Sequence, residues 1–482
     1  MLQRLLPILL LCCAGAVAAA PMGFDEPRHL LNRTSFAANV GDIEAFAKLT
    51  RAQAVDQLLG WTAGTVATPA PGWINTYESP RRLRGASDEE RKAFQRAQAG
   101  KGVELRGWWL TEMLTTRSPL TEKMVLFWHN HFVSSLQKVR SPVLMYRQQQ
   151  VLRKNALGYF GDMLHEVAKD PAMVIYLDSA SNRKGKPNEN FAREVMELFT
   201  LGEGSYGEQD VKEAARAFTG WSIEPETGEF LFRRPAHDDG VKTVLGRSGN
   251  FDGDDVLDIL LAQPQTAEFI VSKLWREFVS PQPEPAEVKR IARLFRDNRY
   301  NIKVALRALL LSDAFYAPQN RAALVKSPLD LIVGTLRQFR FETGEVAPFL
   351  VAARQLGQDM FAPPNVKGWP GGEAWINSAT LLARKQLLER LFRAQEMRQP
   401  PPMREAAATP VAQQDAGPRA RFVRAMMDIH FDADQWLAQF KPGDPRLLKV
   451  VLAAEPAAPG DDQAQGVVRL RDLVLDPVYQ LK

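Results

Sequence analysis

The residues Phe127 to Phe132 read FWHNHF and hold two of the chain's six histidines, His129 and His131. Imidazole is suited both to metal ligation and to proton transfer near neutral pH. On a helix, residues at i and i+2 point to nearly opposite sides, so this pair cannot grip one ion as the i, i+4 pair of H-E-x-x-H does. Joint chemistry at these two histidines therefore requires an extended segment. Glu194 and Glu197, in PNENFAREVMELFTLG (Pro187 to Gly202), stand at i, i+3. That spacing suits two carboxylate ligands or an acid–base pair. HDDGVKTVLG adds His237, Asp238 and Lys242 on a turn, where polar groups are well placed for binding. Trp369 and Trp375, in a loop punctuated by glycine and proline, could stack on a sugar or cover the core.

Each of these has a structural alternative. His131 shares a helix face with Met124, Phe127, Trp128 and Ser135, which makes it a candidate for a buried, hydrogen-bonded core histidine. His129, on the other side, is expected at the surface or against a neighbouring loop. Asn190, Arg193, Glu194 and Glu197 form the polar side of a broadly apolar helix, so an internal salt-bridge network with Arg193 competes with chemistry. Aspartate and glycine are also ordinary turn residues. NFDGDD (Asn250–Asp255) resembles a calcium loop, but Asp255 stands where glycine is needed and Leu261 where glutamate is needed; helix capping by Asp254 or Asp255 is the better account. The chain has no P-loop, G-x-S-x-G, H-E-x-x-H or G-x-G-x-x-G motif. The catalytic candidates are thus His131, Glu194, Glu197, His237 and Asp238, and the binding candidates are Asn190, Lys242, Trp369 and Trp375. No cofactor is identified from these residues, although a divalent metal is one such side chains could hold.

The elements that must position these residues are mainly helical. Ser118-Pro119 and Ser327-Pro328 each combine an N-cap serine with proline at the first helical position, and Asp170-Pro171 repeats the scheme. Ser205 to Glu208 reads as a capping box before VKEAARAF, with Gly220 ending that helix. Alternation around Asp238-Asp239-Gly240 predicts one β-hairpin, pairing Glu229–Arg234 with Lys242–Leu245. Thr62 to Gly102 reads as a loop carrying a polar helix near Asp88–Gln98. Gln399 to Ala420 has a linker's composition, rich in proline, alanine and glutamine. The expected architecture is a mainly α chain: a large multi-helix domain over 21–398 with one β-hairpin insertion, a linker over 399–420, and a small helical C-terminal appendage over 421–482.

MLQRLLPILLLCCAGAVAAA follows the plan of a secretory signal peptide over 1–20, which predicts a periplasmic or secreted protein. Bulky residues ahead of Cys12 and Cys13 disfavour a lipoprotein. No later apolar run is long enough to span a bilayer, so no transmembrane anchor is expected after cleavage. Both cysteines lie in the leader, leaving the mature chain without disulfides, thiol nucleophiles or cysteine–zinc sites. The net charge of +5 is spread along 482 residues, and no run of cations points to nucleic acid.

HLLNRTSF (His29–Phe36), SPLTEKMVLFWHNHF, PNENFAREVMELFTLG, EQDVKEAARAFTGW, HDDGVKTVLG and PPNVKGWPGGEAWINSATLLAR occur in that order over 29–386. In this the chain resembles the bacterial family catalogued as domain of unknown function 1800. The resemblance implies a mostly helical, usually exported protein without an established activity or catalytic residues. It also implies a partner: a secreted protein similar to sulfatases and alkaline phosphatases, encoded nearby. Two functions are therefore expected. One is an exported binding or assembly factor acting with that partner or with another cell-envelope ligand. The other is an envelope hydrolase, metal-assisted or not, with a His/Glu/Asp pocket.

Overall fold

The computed structural model describes residues 20–396, 428–458 and 464–482. The expected signal peptide, except Ala20, the expected linker, and residues 421–427 and 459–463 of the expected C-terminal appendage lie outside the described residues. Among the described residues, twenty-two α-helices set against two two-stranded sheets make the chain mainly α. No helix among the described residues is long and apolar enough to cross a membrane.

Local signals account for many helix starts. Ser327 accepts from the Asp330 N–H at 3.0 Å while Asp330 accepts from the Ser327 N–H, a complete capping box ahead of Pro328–Gln338. Asp170 caps Pro171–Tyr176 through the Met173 N–H. Ser118 departs from expectation. Its hydroxyl bonds Thr121 Oγ1 and accepts from the Ala63 N–H, so Pro119–His131 starts without a side-chain cap. Glu208–Ala217 is preceded by Gly207, whose N–H bonds the Asp210 carboxylate, in place of the box expected at Ser205. Asp252, rather than Asp254 or Asp255, caps Gly253–Ala262.

The polar helix expected near Asp88–Gln98 runs on to Thr115. Gly100 and Gly102 do not stop it, because Leu105, Trp108 and Trp109 bury an apolar stripe just beyond them. That burial outweighs the local cost of glycine.

The single hairpin expected around Asp238–Gly240 is two. Strand β1 (Trp221–Ile223) pairs with β2 (Phe230–Phe232), and β3 (Lys242–Val244) pairs with β4 (Arg247–Gly249), both antiparallel. The predicted strand segments exist, but each pairs with a nearer neighbour. Leu245 and Gly246 both take positive φ, the requirement of a two-residue I′ turn, which closes β3 onto β4 locally.

The described part of the C-terminal segment, 428–458 and 464–482, is helical and is built into the main core. Glu342 and His430 exchange backbone hydrogen bonds at 2.8 and 2.9 Å. Phe431 meets Phe339 edge-on, Trp436 packs tilted against the same ring, and the Trp436 indole N–H bonds the Gln338 carbonyl. Helix Gly466–Leu475 lies along Ser378–Glu396. One apolar core runs from Met22 to Tyr479.

Candidate functional site

FWHNHF stays helical through His131, and only Phe132 leaves the helix. An extended histidine pair is therefore not formed. The helix is enclosed on nearly every side. Of the two places expected for His129, the surface or a neighbouring loop, the structure has the second: it is buried among the rings of Trp109, Phe361 and Trp369 at 5.2–5.8 Å, the last of these on a neighbouring loop. Its Nε2 has no hydrogen-bond partner, and burial holds its pKa down at about 4. Asn130, between the two histidines, grips that loop. Its Oδ1 accepts from the Trp369 N–H at 2.7 Å and its Nδ2 donates to the Trp369 carbonyl at 3.3 Å.

His131 sits on the packed side. Its Nε2 is 3.2 Å from the Phe199 carbonyl, and its Nδ1 faces the Lys273 ammonium at 3.0 Å. Since the ammonium can only donate, the ring proton sits on Nε2 and donates to Phe199. Burial, reinforced by Lys273, keeps the imidazole neutral and its pKa well below the usual range. Burial also lowers Lys273 to about 8. Both side chains serve one irregularity. Residues Val195–Thr200 form a π turn, with the Leu201 N–H reaching back to Met196. Lys273 bonds the Leu198 carbonyl and His131 the Phe199 carbonyl of that turn. Isolated π turns occur frequently at functional sites.

The same turn carries Glu197. Its carboxylate accepts from the Tyr206 hydroxyl at 2.8 Å and faces Lys367, from the Trp369 loop, at 3.8 Å. Glu194 is half-buried and makes no hydrogen bond or ion pair; burial, then Glu197, raises its pKa. The expected network with Arg193 is not formed, because Arg193 pairs outward with Glu208 and Glu189. Asn190 is tied into the local backbone through the Leu177 carbonyl.

The 237–242 turn is closed on itself. His237, buried against Phe232, places Nδ1 2.9 Å from the Thr219 carbonyl. Asp238 accepts a fork from Arg216, which holds its carboxyl down at about 2, and it also caps the Gly240 N–H. The Lys242 ammonium folds back onto the Gly240 carbonyl at 2.9 Å. Trp369 and Trp375 are both buried and border a small cavity of about 110 Å³ with Lys123 and Asp330.

The structure therefore pairs Glu197 with Lys367, with Glu194 near them but unbonded, and separately pairs His131 with Lys273. No hydrogen bond, ion pair or ring contact links His131, Glu194 and His237. Among the described residues, no three His, Cys, Asp or Glu side chains cluster closely enough to hold a metal ion.

A site outside the sequence candidates is an open cleft of about 700 Å³ between the loop 180–189 and the β1–β2 hairpin. Arg183, Lys186 and Arg233 line it together with Ser181, Asn188 and Ser222. None of the three cations has an acidic partner among the described residues. Glu189, also on its wall, is taken by Arg193 at 3.1 Å. The sequence signal was SNRKGK, with three cations in four positions and no acid beside them; Arg233 is far away in the chain and joins only on folding.

No curated protein and no solved structure is significantly similar to this chain. A family described as "Protein of unknown function (DUF1800)" matches residues 29–480, reaching past the motifs at 29–386 into the C-terminal helices. The chain belongs to that family.

Proposed function

We propose that the protein is an exported binding or assembly factor of the cell envelope, working with a secreted sulfatase-like partner, and that the 180–189/β1–β2 cleft is its binding site. One observation carries this reading. The cleft is open, carries three cationic side chains unpaired among the described residues, and is within the roughly 300–1,000 Å³ typical of ligand sites, whereas His131 and His237 are each bound to a backbone carbonyl. His131 has both ring nitrogens engaged, Nε2 by the Phe199 carbonyl and Nδ1 by the Lys273 ammonium, and is poorly placed to transfer a substrate proton.

Ala180→Trp tests the assignment, because Ala180 is exposed on the cleft wall and a tryptophan there would fill the opening. Purified protein is passed over immobilised envelope polymer and over the secreted partner. We expect retention of the native chain and about tenfold weaker retention of the variant, a loss of about 1.4 kcal/mol. Equal retention of both would remove the cleft from the function. Recovery of the native protein from the cytoplasm rather than the periplasm or medium would remove export.

A second reading has one observation in its favour. Glu194, half-buried, unbonded and shifted toward its neutral form, lies beside Glu197, whose carboxylate accepts from the Tyr206 hydroxyl and faces Lys367. A carboxyl shifted toward its acid form beside a second carboxylate is an arrangement from which a hydrolase's acid can be drawn. Hydrolysis of envelope polymers that Glu194→Gln abolishes would favour it.

A further inference from the structure

We propose that the ligand of this cleft is an acidic carbohydrate, whose carboxylate or sulfate groups are held by Arg183, Lys186 and Arg233. The inference rests on the binding reading above and adds the chemistry of what is bound.

Three features of the site point this way. Arg183 and Lys186 are partners in an antiparallel β-bridge across a tight turn that Gly185 closes at φ +78°. Like charges placed directly opposite each other repel. Here no carboxylate relieves them, and an oxyanion between the two would. Arg233 comes to the same cleft from the opposite wall, and a guanidinium fork matches the planar geometry of an oxyanion.

The walls are also fixed in advance. The Lys184 N–H bonds the Ala236 carbonyl at 2.7 Å, the Gly220 N–H bonds Asn182 at 3.0 Å, and the Arg233 N–H bonds Gly220 at 2.7 Å. Gly220 has φ +88°, and a Cβ there would lie 2.8 Å from the Arg233 carbonyl. A rigid backbone spares a ligand the entropy of ordering the site.

The remaining surface selects among anions. The cleft is far larger than one oxyanion, and Ser181, Asn188 and Ser222 offer hydroxyl and amide groups beside the cations, a lining suited to sugar hydroxyls. Trp221, the one aromatic residue on the wall among the described residues, is buried within a cluster with Phe191, Phe218 and Phe230. It offers no free ring face of the kind on which single-stranded nucleic acid stacks.

The test measures affinity of the full chain for polygalacturonate, dextran sulfate, neutral dextran, inorganic sulfate and a single-stranded oligonucleotide. We expect the two acidic polysaccharides to bind, with affinity falling about tenfold or more as salt rises through the screening range. The exposed triple variant R183E/K186E/R233E should lose about a hundredfold, while the matched triple K48E/K92E/K289E should keep its affinity. Thermal unfolding of both triples at the native temperature certifies their folds. Neutral dextran bound as tightly as the acidic polymers, and equally by both triples, would overturn the acidic ligand and leave the binding reading standing. Oligonucleotide binding as tight as that of the polysaccharides, or inorganic sulfate matching the polymers, would overturn the carbohydrate assignment. Absence of all binding, together with Ala180→Trp behaving as native in envelope retention, would overturn both proposals.

Discussion

Lys273 Nζ lies 3.0 Å from His131 Nδ1, and the two side chains divide between them the Leu198 and Phe199 carbonyls of a single π turn. A π turn leaves carbonyls that the ordinary helical ladder would have satisfied, and buried carbonyls need partners. His131→Ala removes one partner and opens a cavity among Trp128, Phe132 and Phe160. The expected loss of stability is about 3–5 kcal/mol, as for other large-to-small core changes with a lost hydrogen bond. Lys273→Met should cost about 1–3 kcal/mol. Urea denaturation of both single variants and the double variant measures this, and the pair should be non-additive. A loss below about 0.5 kcal/mol for His131→Ala would return His131 to the list of candidate functional groups.

Acid should weaken the fold, and the sign follows from three histidines. Burial holds His29 at about 3, His129 at about 4 and His131 well below its ordinary value. Below pH about 6.5 the unfolded chain takes up protons that the folded chain refuses, so stability present above that pH is lost as pH falls, by about 1.4 kcal/mol per unit for each histidine. Asp170 acts the other way. Burial raises it to about 7, so its contribution is greatest below its ordinary value and declines as pH rises toward 7. Three groups outweigh one, and stability should climb from pH 4 to 6.5. Asp170→Asn keeps a cap acceptor for the Met173 N–H but removes the opposing titration. Its stability should therefore rise more steeply over the same interval. Equal slopes in the two proteins, by denaturation at matched pH values, would contradict the assignment.

Much of the helical framework was legible because caps and prolines act within a turn: Ser327 and Asp170 do what their sequence context suggests. Less of the rest could be read. Period-2 alternation marked β2 and β3 but could not say that each pairs with a nearer strand. The π turn leaves no trace in hydrophobic spacing. Helical phase placed His131 on the packed side, yet it could not show that Trp109, Phe361 and Trp369 would enclose His129 from three separate segments. Of the candidate site, the i, i+3 spacing of Glu194 and Glu197 was readable, while the cationic cleft was not, because Arg233 and Arg183 meet only through tertiary folding.

His129→Phe should be neutral or stabilising, unlike His131→Ala. Nothing bonds His129 Nε2, and the surrounding surface is aromatic. Phenylalanine removes an unpaired buried polar atom while keeping a ring of similar size. It should also remove one histidine from the acid-side slope. A destabilisation greater than about 2 kcal/mol, measured by urea denaturation at pH 7, would show that the imidazole has a partner of its own.

Gly368 is the most constrained position in the Trp369 loop. Its φ is +82°, and a Cβ on it would lie 2.7 Å from the Asn130 carbonyl oxygen and closer still to Oδ1. The contact exists because Asn130 pairs with both backbone groups of Trp369, as a neighbouring strand would. Gly368→Ala therefore carries two penalties: a left-handed conformation that alanine resists and a backbone clash that no rotamer relieves. The loss should be about 3 kcal/mol or more. It should be expressed locally, as separation of the loop from the helix that ends at His131. Asn130→Ala should loosen the same contact by about 1–2 kcal/mol without the clash. Hydrogen exchange distinguishes a local from a global effect, with the Trp369 amide losing protection in both variants while amides of the Pro328–Gln338 helix keep theirs. Uniform loss across the chain would mean that the loop is part of the global folding unit. In that case Lys367, one residue away, would reach Glu197 only in the fully folded protein.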